Sequence, residues 1–313
     1  MYFKQDGNIS LIPSDLKQVF ENKFTLNIGQ KEIVKMKNNG VITNRDLCIT
    51  KFLFKFKFAT LDQLYKYLWL IDDKDEDIAS KQIIKNRLDK LVKYRILNKF
   101  MLTKDVTAEV ICREALEIYC LDLGGRYLLS HYSSEDTTDW YSIVNMKSSD
   151  IINKDLFVTS FYLSILSTCP NKLVYFNVEP DIRVAKKNVI PSFDFCLDIN
   201  GNKAYHIGEV VRGINFPVQF RERAYKFTEL LSSNAWKKYY YDSPSPPVLF
   251  VFADSDEIAL EVSKLLIETT EINRFRVSTD ERIKKPLYEL GAFLKYSEEE
   301  GDLQEIKAIT FAP

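Results

Sequence analysis

The chain has 313 residues, 46% hydrophobic and 13% aromatic, with 43 basic against 44 acidic side chains and a net charge of −1. That length gives room for two domains, each with its own core. No apolar run reaches the roughly 18 residues that a membrane-spanning helix needs, so no membrane partner is expected. The opening Met1-Tyr-Phe-Lys-Gln-Asp lacks the charged-then-apolar order of a secretion signal, which points to the cytoplasm. Five scattered cysteines (48, 112, 120, 169 and 196) without Cys-x-x-Cys spacing read as reduced thiols, and only two histidines argue against structural zinc.

Residues 1–42 show little periodicity and read as an N-terminal arm. From Thr43 the pattern turns helical, with Thr43 as N-cap and Leu47, Ile49, Phe52, Leu53 and Phe56 at helical spacing. Thr60 caps a second helix through Trp69, and an acidic loop, Asp72-Asp-Lys-Asp-Glu-Asp77, follows. Ser80 caps a third helix from Lys81 to about Tyr94. Ile84, Leu88, Leu91 and Val92 form its apolar stripe, and Lys81, Lys85, Asn86 and Lys93 lie largely away from it. Strand-like runs at 96–102 and 115–121 precede a helix at 124–130. Three helices, a hairpin and a helix is the order of a winged helix-turn-helix, here over residues 43–132.

Between residues 80 and 104 eight basic side chains face one acid, Asp89, a local balance of +7. Charge clustered on one element says more about a nucleic-acid partner than the total does. The third helix therefore reads as a recognition helix for double-stranded DNA. Lys81, Lys85 and Lys93 would lie on phosphates, and Asn86, Arg87 or Lys90 would reach base edges. Lys99 and Lys104 near the wing would add backbone contacts. The plainer alternative is a solvated basic face.

Residues 133–149 are polar, poor in pattern and read as a linker. A helix over 149–168 and a strand over 172–178 open the second domain, residues 150–313. Two alternating runs then flank Asn200-Gly201-Asn202, Pro191 to Ile199 and Lys203 to Val211. Asn-Gly between such runs is a strong hairpin signal, because both central residues of a type I′ turn need positive φ. A loop at Asn200-Gly201 sets Asp194 opposite Ile207; one at Gly201-Asn202 sets it opposite Glu209. In either register the two acids share a face. Like charges so placed need a cation or a proton between them, and one or two carboxylates plus phosphate and water are how hydrolytic sites hold Mg²⁺. Phe193, Phe195, Ile207 and Val210 argue against a merely solvated edge. A helix over 216–232 carries Gln219, Arg221, Arg223, Tyr225 and Lys226. A fully apolar strand at 247–253, a helix opening at Ser255 and a strand at 274–278 complete the pattern.

The order α-β-β-β-α-β, with acids on the second and third strands, resembles the restriction-endonuclease-like core of PD-(D/E)xK type. Pro191-Ser-Phe-Asp194 stands for the first motif and Glu209-Val-Val211 for the second, with valine where the family has its lysine. Lys226 on the next helix is placed to substitute, and the literal Pro180-Asp181 ranks second as an acid motif. Together with Thr60-Leu-Asp-Gln-Leu-Tyr, His206-x-x-Glu209-x-x-Arg212 and Arg221-x-x-x-Tyr225-Lys226, the chain resembles the replication-relaxation family, which includes MOBC-class mobilisation relaxases. The resemblance implies an α+β protein, a winged helix followed by a nuclease-like domain. It further implies a plasmid or mobile-element protein that binds an origin-like site and nicks one strand there. Asp194 and Glu209 would hold Mg²⁺ or Mn²⁺, and Tyr225 or Lys226 would contact the scissile region. Other mobilisation or replication proteins and a second copy of the chain are further candidate partners. The rival is a non-catalytic replication or transfer regulator, which the absent lysine favours. Tyr225 reads first as a helix residue packed on the sheet and second as a nucleophile. His206, an odd step from Glu209, reads as a structural histidine. No phosphate-binding glycine loop or Gly-x-Ser-x-Gly occurs.

Overall fold

The computed structural model describes residues 16–24, 28–71, 80–103, 116–184, 187–212, 216–232, 234–270, 272 and 274–313. The chain divides into two compact units, Met1–Thr159 and Ser160–Pro313. Both combine helices and sheet, so the protein is of mixed α+β class. No helix among the described residues is long and apolar enough to cross a membrane.

The first unit runs β1 (Lys17–Phe20), α1 (Gln30–Asn38), α2 (Asn44–Phe56), β2 (Phe58–Thr60), α3 (Leu61–Ile71), α4 (Lys81–Lys93), β3 (Leu97–Thr103), β4 (Glu117–Leu121) and α5 (Leu123–Tyr132). Three of these helices start where the sequence places their caps. Thr43 and Asp46 form a reciprocal capping box at α2. At α3 the Thr60 Oγ1 accepts from the Gln63 N–H at 3.2 Å, and Gln63 Oε1 accepts from the Thr60 N–H at 2.9 Å. At α4 the Ser80 Oγ accepts from the Ile83 N–H at 3.3 Å. Each of these bonds satisfies a backbone donor that the first helical turn leaves without a partner. The strands form one antiparallel sheet in the order β1-β3-β4-β2.

Two segments differ from the sequence reading. The stretch read as an arm contributes β1, which pairs with β3, and α1, whose Ile33 is fully buried; four-residue strands and nine-residue helices are too short to show a period. Residues 133–149 belong to the first unit. Asn145 Nδ2 donates to the Leu121 carbonyl at 2.8 Å, Gln18 Nε2 donates to the Asn145 carbonyl at 2.9 Å, and Arg126 Nε donates to the Thr137 carbonyl at 3.0 Å. The polarity that suggested a linker is used in these bonds.

The unit boundary falls inside α6 (Ser149–Thr168). The second unit continues β5 (Leu173–Val178), β6 (Ile182–Val184), β7 (Lys187–Val189), β8 (Phe193–Ile199), β9 (Asn202–Val210), α7 (Phe216–Ser232), β10 (Val248–Ala253), α8 (Asp256–Thr269), β11 (Phe275–Thr279), β12 (Phe293–Ser297) and β13 (Asp302–Ile306). A seven-stranded sheet has the order β13-β12-β11-β10-β9-β8-β5, with β9, β10 and β11 parallel and the remaining pairs antiparallel. β6 and β7 form a separate hairpin. One face of the large sheet presents Cys196, Ile207, Leu249, Val251 and Val277 to Phe220, Ala224 and Phe227 of α7 and to Val262 and Leu266 of α8. On the other face Phe193, Phe195, Phe250, Phe252 and Phe293 interlock with Phe161 of α6 and with Phe311. Gly208 is required there: a Cβ on it would sit 2.1 Å from the Phe193 ring.

Candidate functional site

The turn between β8 and β9 decides the register. Ile199 pairs with Asn202, leaving Asn200 and Gly201 as the loop at φ 55° and 83°. Positive φ at both positions is what a two-residue hairpin turn requires. Asp194 therefore pairs with Ile207, the first of the two registers open from sequence, and Glu209 sits two residues further along the same face. That face is the one covered by α7. Both acids are deeply buried, Asp194 at 4% and Glu209 at 2% exposure.

Each acid has protein partners. Arg223 of α7 forks onto Glu209, with Nε 2.8 Å from Oε1 and Nη2 2.9 Å from Oε2. Such a two-pronged, charge-assisted contact is the strongest pairing a carboxylate makes with a side chain. The Ser192 N–H and hydroxyl also donate to Oε2, at 3.2 and 3.4 Å. Arg223 Nη2 reaches the Ile190 carbonyl at 2.5 Å as well. Arg223 borders the buried stripe Phe220, Ala224 and Phe227, which is why its stem leans over β9 while its side chain stays 39% exposed. Long basic side chains commonly bury the stem and leave the head in water. Asp194 accepts from Asn177 Nδ2 and from the Tyr240 hydroxyl, both at 2.9 Å. Burial raises the Asp194 carboxyl above its ordinary value, and the Tyr240 and Asn177 bonds act against that rise.

A resident Mg²⁺ or Mn²⁺ does not fit this arrangement. Such ions take about six oxygen ligands in near-octahedral order. Here all four carboxylate oxygens already accept hydrogen bonds, and a guanidinium occupies the cation position on Glu209. Among the described residues no group of three or more His, Cys, Asp or Glu side chains is arranged to hold a metal.

The other residues of the second unit singled out from sequence take separate places. Lys226 is one turn from Arg223, pairs with Glu222 at 2.9 Å, and shares with Arg223, Asn188, Ile190 and Phe227 the lining of a hollow of about 150 Å³. Tyr225 is not packed on the sheet: it is 55% exposed, because the stripe through Ala224 turns it outward. Asp181 is an exposed residue paired with Arg183 at 3.7 Å. His206 faces away from Glu209 and stacks on Phe195, with ring centroids 4.5 Å apart and planes at 10°. Burial lowers its pKa to about 3. Arg212, just beyond β9, pairs with Asp280 at 2.5 Å and Asp254 at 3.1 Å, which follow β11 and β10. Burial pushes the Asp280 carboxyl up to about 6 against the pull of Arg212.

On α4 most of the local positive charge is matched by acids from elsewhere in the unit. Arg87 is bound to buried Asp46 of α2, with Nε 2.8 Å from Oδ1, and to the Val41 carbonyl. Lys81 pairs with Asp62, Lys85 with Glu117 at 3.3 Å, and Lys99 with Asp89 and Glu117 at 3.1 and 3.4 Å. Lys90 and Lys93 project from the helix away from its buried stripe and carry no ion pair among the described residues. Asn86 accepts from Gln82 Nε2 at 2.9 Å on the exposed side of the helix. Lys104 and the acidic loop at 72–77 lie outside the described residues.

Arg223 and Tyr240 were visible in the sequence without being singled out as partners of the acids. A basic residue beside a buried helical stripe, facing a strand acid, is the signal that would have found Arg223. No family model, curated protein or solved structure matches this chain.

Proposed function

We propose that this chain is a DNA-binding replication or transfer regulator of a plasmid or mobile element, acting without cutting its target. In this reading the first unit is a winged helix-turn-helix, with α4 as recognition helix and β3–β4 as wing. The second unit is a degenerate nuclease-like core that serves partner binding or dimerisation. The observation that carries the non-catalytic part is the fork of Arg223 on Glu209, which commits both oxygens of that acid to protein donors and balances its charge. DNA binding rests on the outward face of a capped α4, where Lys90 and Lys93 remain available to phosphates.

One observation favours nicking instead. Asp194 and Glu209 share a buried face, and Arg223, which binds Glu209, lines a hollow together with Lys226. Supercoiled plasmid with an origin region, incubated with Mg²⁺ or Mn²⁺ and wild type, Asp194→Ala or Glu209→Ala protein, separates the two readings. Retention of duplex without nicking is expected; nicking lost in both variants would overturn the proposal. For the DNA-binding part, Lys90→Ala with Lys93→Ala lowers the slope of log affinity against log salt by about 2. An unchanged slope would remove α4 from the interface.

A further inference from the structure

The outward side of α4 carries more than charge. Its buried stripe, Ile84, Leu88, Leu91 and Val92, faces the core. On the opposite side, within about 100° of the helix circumference, lie Gln82, Ile83, Asn86, Lys90 and Lys93. None of the five is buried, and Ile83 is an apolar side chain left 52% open beside two amides.

The amides are joined. Gln82 Nε2 donates to Asn86 Oδ1 at 2.9 Å across one helical turn. That bond leaves one amide acceptor, Gln82 Oε1, and one amide donor, Asn86 Nδ2, on the exposed side of the helix. Among the described residues neither has another partner. Adenine presents the complement in the major groove, an N6 amino donor next to the N7 acceptor, and its thymine partner presents a C5 methyl. Base-reading side chains of a recognition helix sit at its N-terminal end, where Gln82, Ile83 and Asn86 are. Lys90 and Lys93, one to two turns further on, are the cations left for the flanking phosphates.

We infer that α4 recognises an A·T base pair in duplex DNA through the coupled amides of Gln82 and Asn86, with Ile83 against the thymine methyl. This rests on the DNA-binding reading above and adds its sequence preference. Arg87, which the sequence placed among base-reading candidates, is excluded because Asp46 and the Val41 carbonyl hold it within the unit.

The test is selection from a random duplex pool by the full chain, followed by affinity measurements on the selected site and on single base-pair replacements. Asn86→Asp is the decisive variant: it still accepts the Gln82 bond but turns the outward donor into an acceptor. The expected result is an A·T preference in wild type of on the order of tenfold, abolished in Asn86→Asp and in Gln82→Ala. Replacing thymine by uracil in the selected site should weaken wild type several-fold and leave Ile83→Ala indifferent. Equal thermal midpoints for the variants and wild type show that folding is intact. A wild type that binds duplex with no A·T preference, or a preference unchanged in Asn86→Asp, overturns this inference and leaves DNA binding standing. Failure of wild type to bind any duplex overturns both.

Discussion

Arg223→Ala tests whether the guanidinium is the cation that makes a buried Glu209 tolerable. The carboxylate is 2% exposed and would lose the charged donor on both oxygens, retaining the two donors of Ser192 on Oε2. Breaking a buried pair by removing one partner costs about 3–5 kcal/mol. The arginine side chain is 39% exposed, and water screens that side of the pair. Screening brings the expected loss to about 2–3 kcal/mol. Adding Glu209→Gln removes the stranded charge, so the double variant should recover part of the loss, with a coupling energy of about 1–2 kcal/mol. Urea unfolding of wild type, the two single variants and the double variant at neutral pH supplies the cycle. Repeating it with millimolar Mg²⁺ adds the second readout: wild type unchanged and Arg223→Ala stabilised, because only in the variant has Glu209 lost the guanidinium from its two oxygens. Additive single effects, or a wild type that gains stability from Mg²⁺ while Arg223→Ala costs nothing, would refute the reasoning.

His206→Phe should flatten the acid limb of the stability curve. The unfolded ring protonates near its ordinary 6.5 and the folded one near 3. Its neutral burial therefore contributes fully above pH 6.5 and is lost as pH falls, by about 1.4 kcal/mol per unit. Asp194 and Asp280, both raised, contribute in the opposite sense as pH rises, so the readout is the difference between wild type and variant. Between about pH 6.5 and 4.5 wild type should lose on the order of 2–3 kcal/mol more than His206→Phe, and parallel urea curves would count against the assignment. Gly208→Ala should destabilise by about 1–3 kcal/mol, the usual range for overpacking a core. Phe193 is fully buried and has nowhere to retreat, so an unchanged thermal midpoint would contradict this. Arg87→Ala should cost about 2 kcal/mol by removing the charged donor from buried Asp46, which keeps the two donors of Thr43, while Lys90→Ala stays within about 0.5 kcal/mol. Equal chemical-denaturation midpoints for the two would show that Arg87 is not a structural residue.

What could be read from sequence was what local chemistry dictates. Thr43, Thr60 and Ser80 announced helix starts because each accepts a backbone N–H three residues on. Asn200-Gly201 announced a tight hairpin because both residues take positive φ. The fully apolar 247–253 run became β10, a strand flanked on both sides by parallel neighbours. What escaped depends on distance along the chain. Much of the +7 around α4 is offset because Asp46, Asp62 and Glu117 arrive from other elements. The cation for Glu209 comes from fourteen residues away on another element, and the donors to Asp194 from Asn177 and Tyr240. β12 and β13 went unread because Phe293–Ser297 and Asp302–Ile306 mix charge with apolar residues too briefly to show a period.

The two-residue turn has a corollary for both faces of the sheet. Side chains alternate strictly along a strand, so a one-residue slip of the pairing set by this turn would invert every position of one strand relative to its neighbour. His206 would be offered to α7, and Glu209 would be thrust among the phenylalanines. What lies against each helix is thus set by the pairing of Ile199 with Asn202, and a longer bend keeps it only by taking the extra residue into the loop.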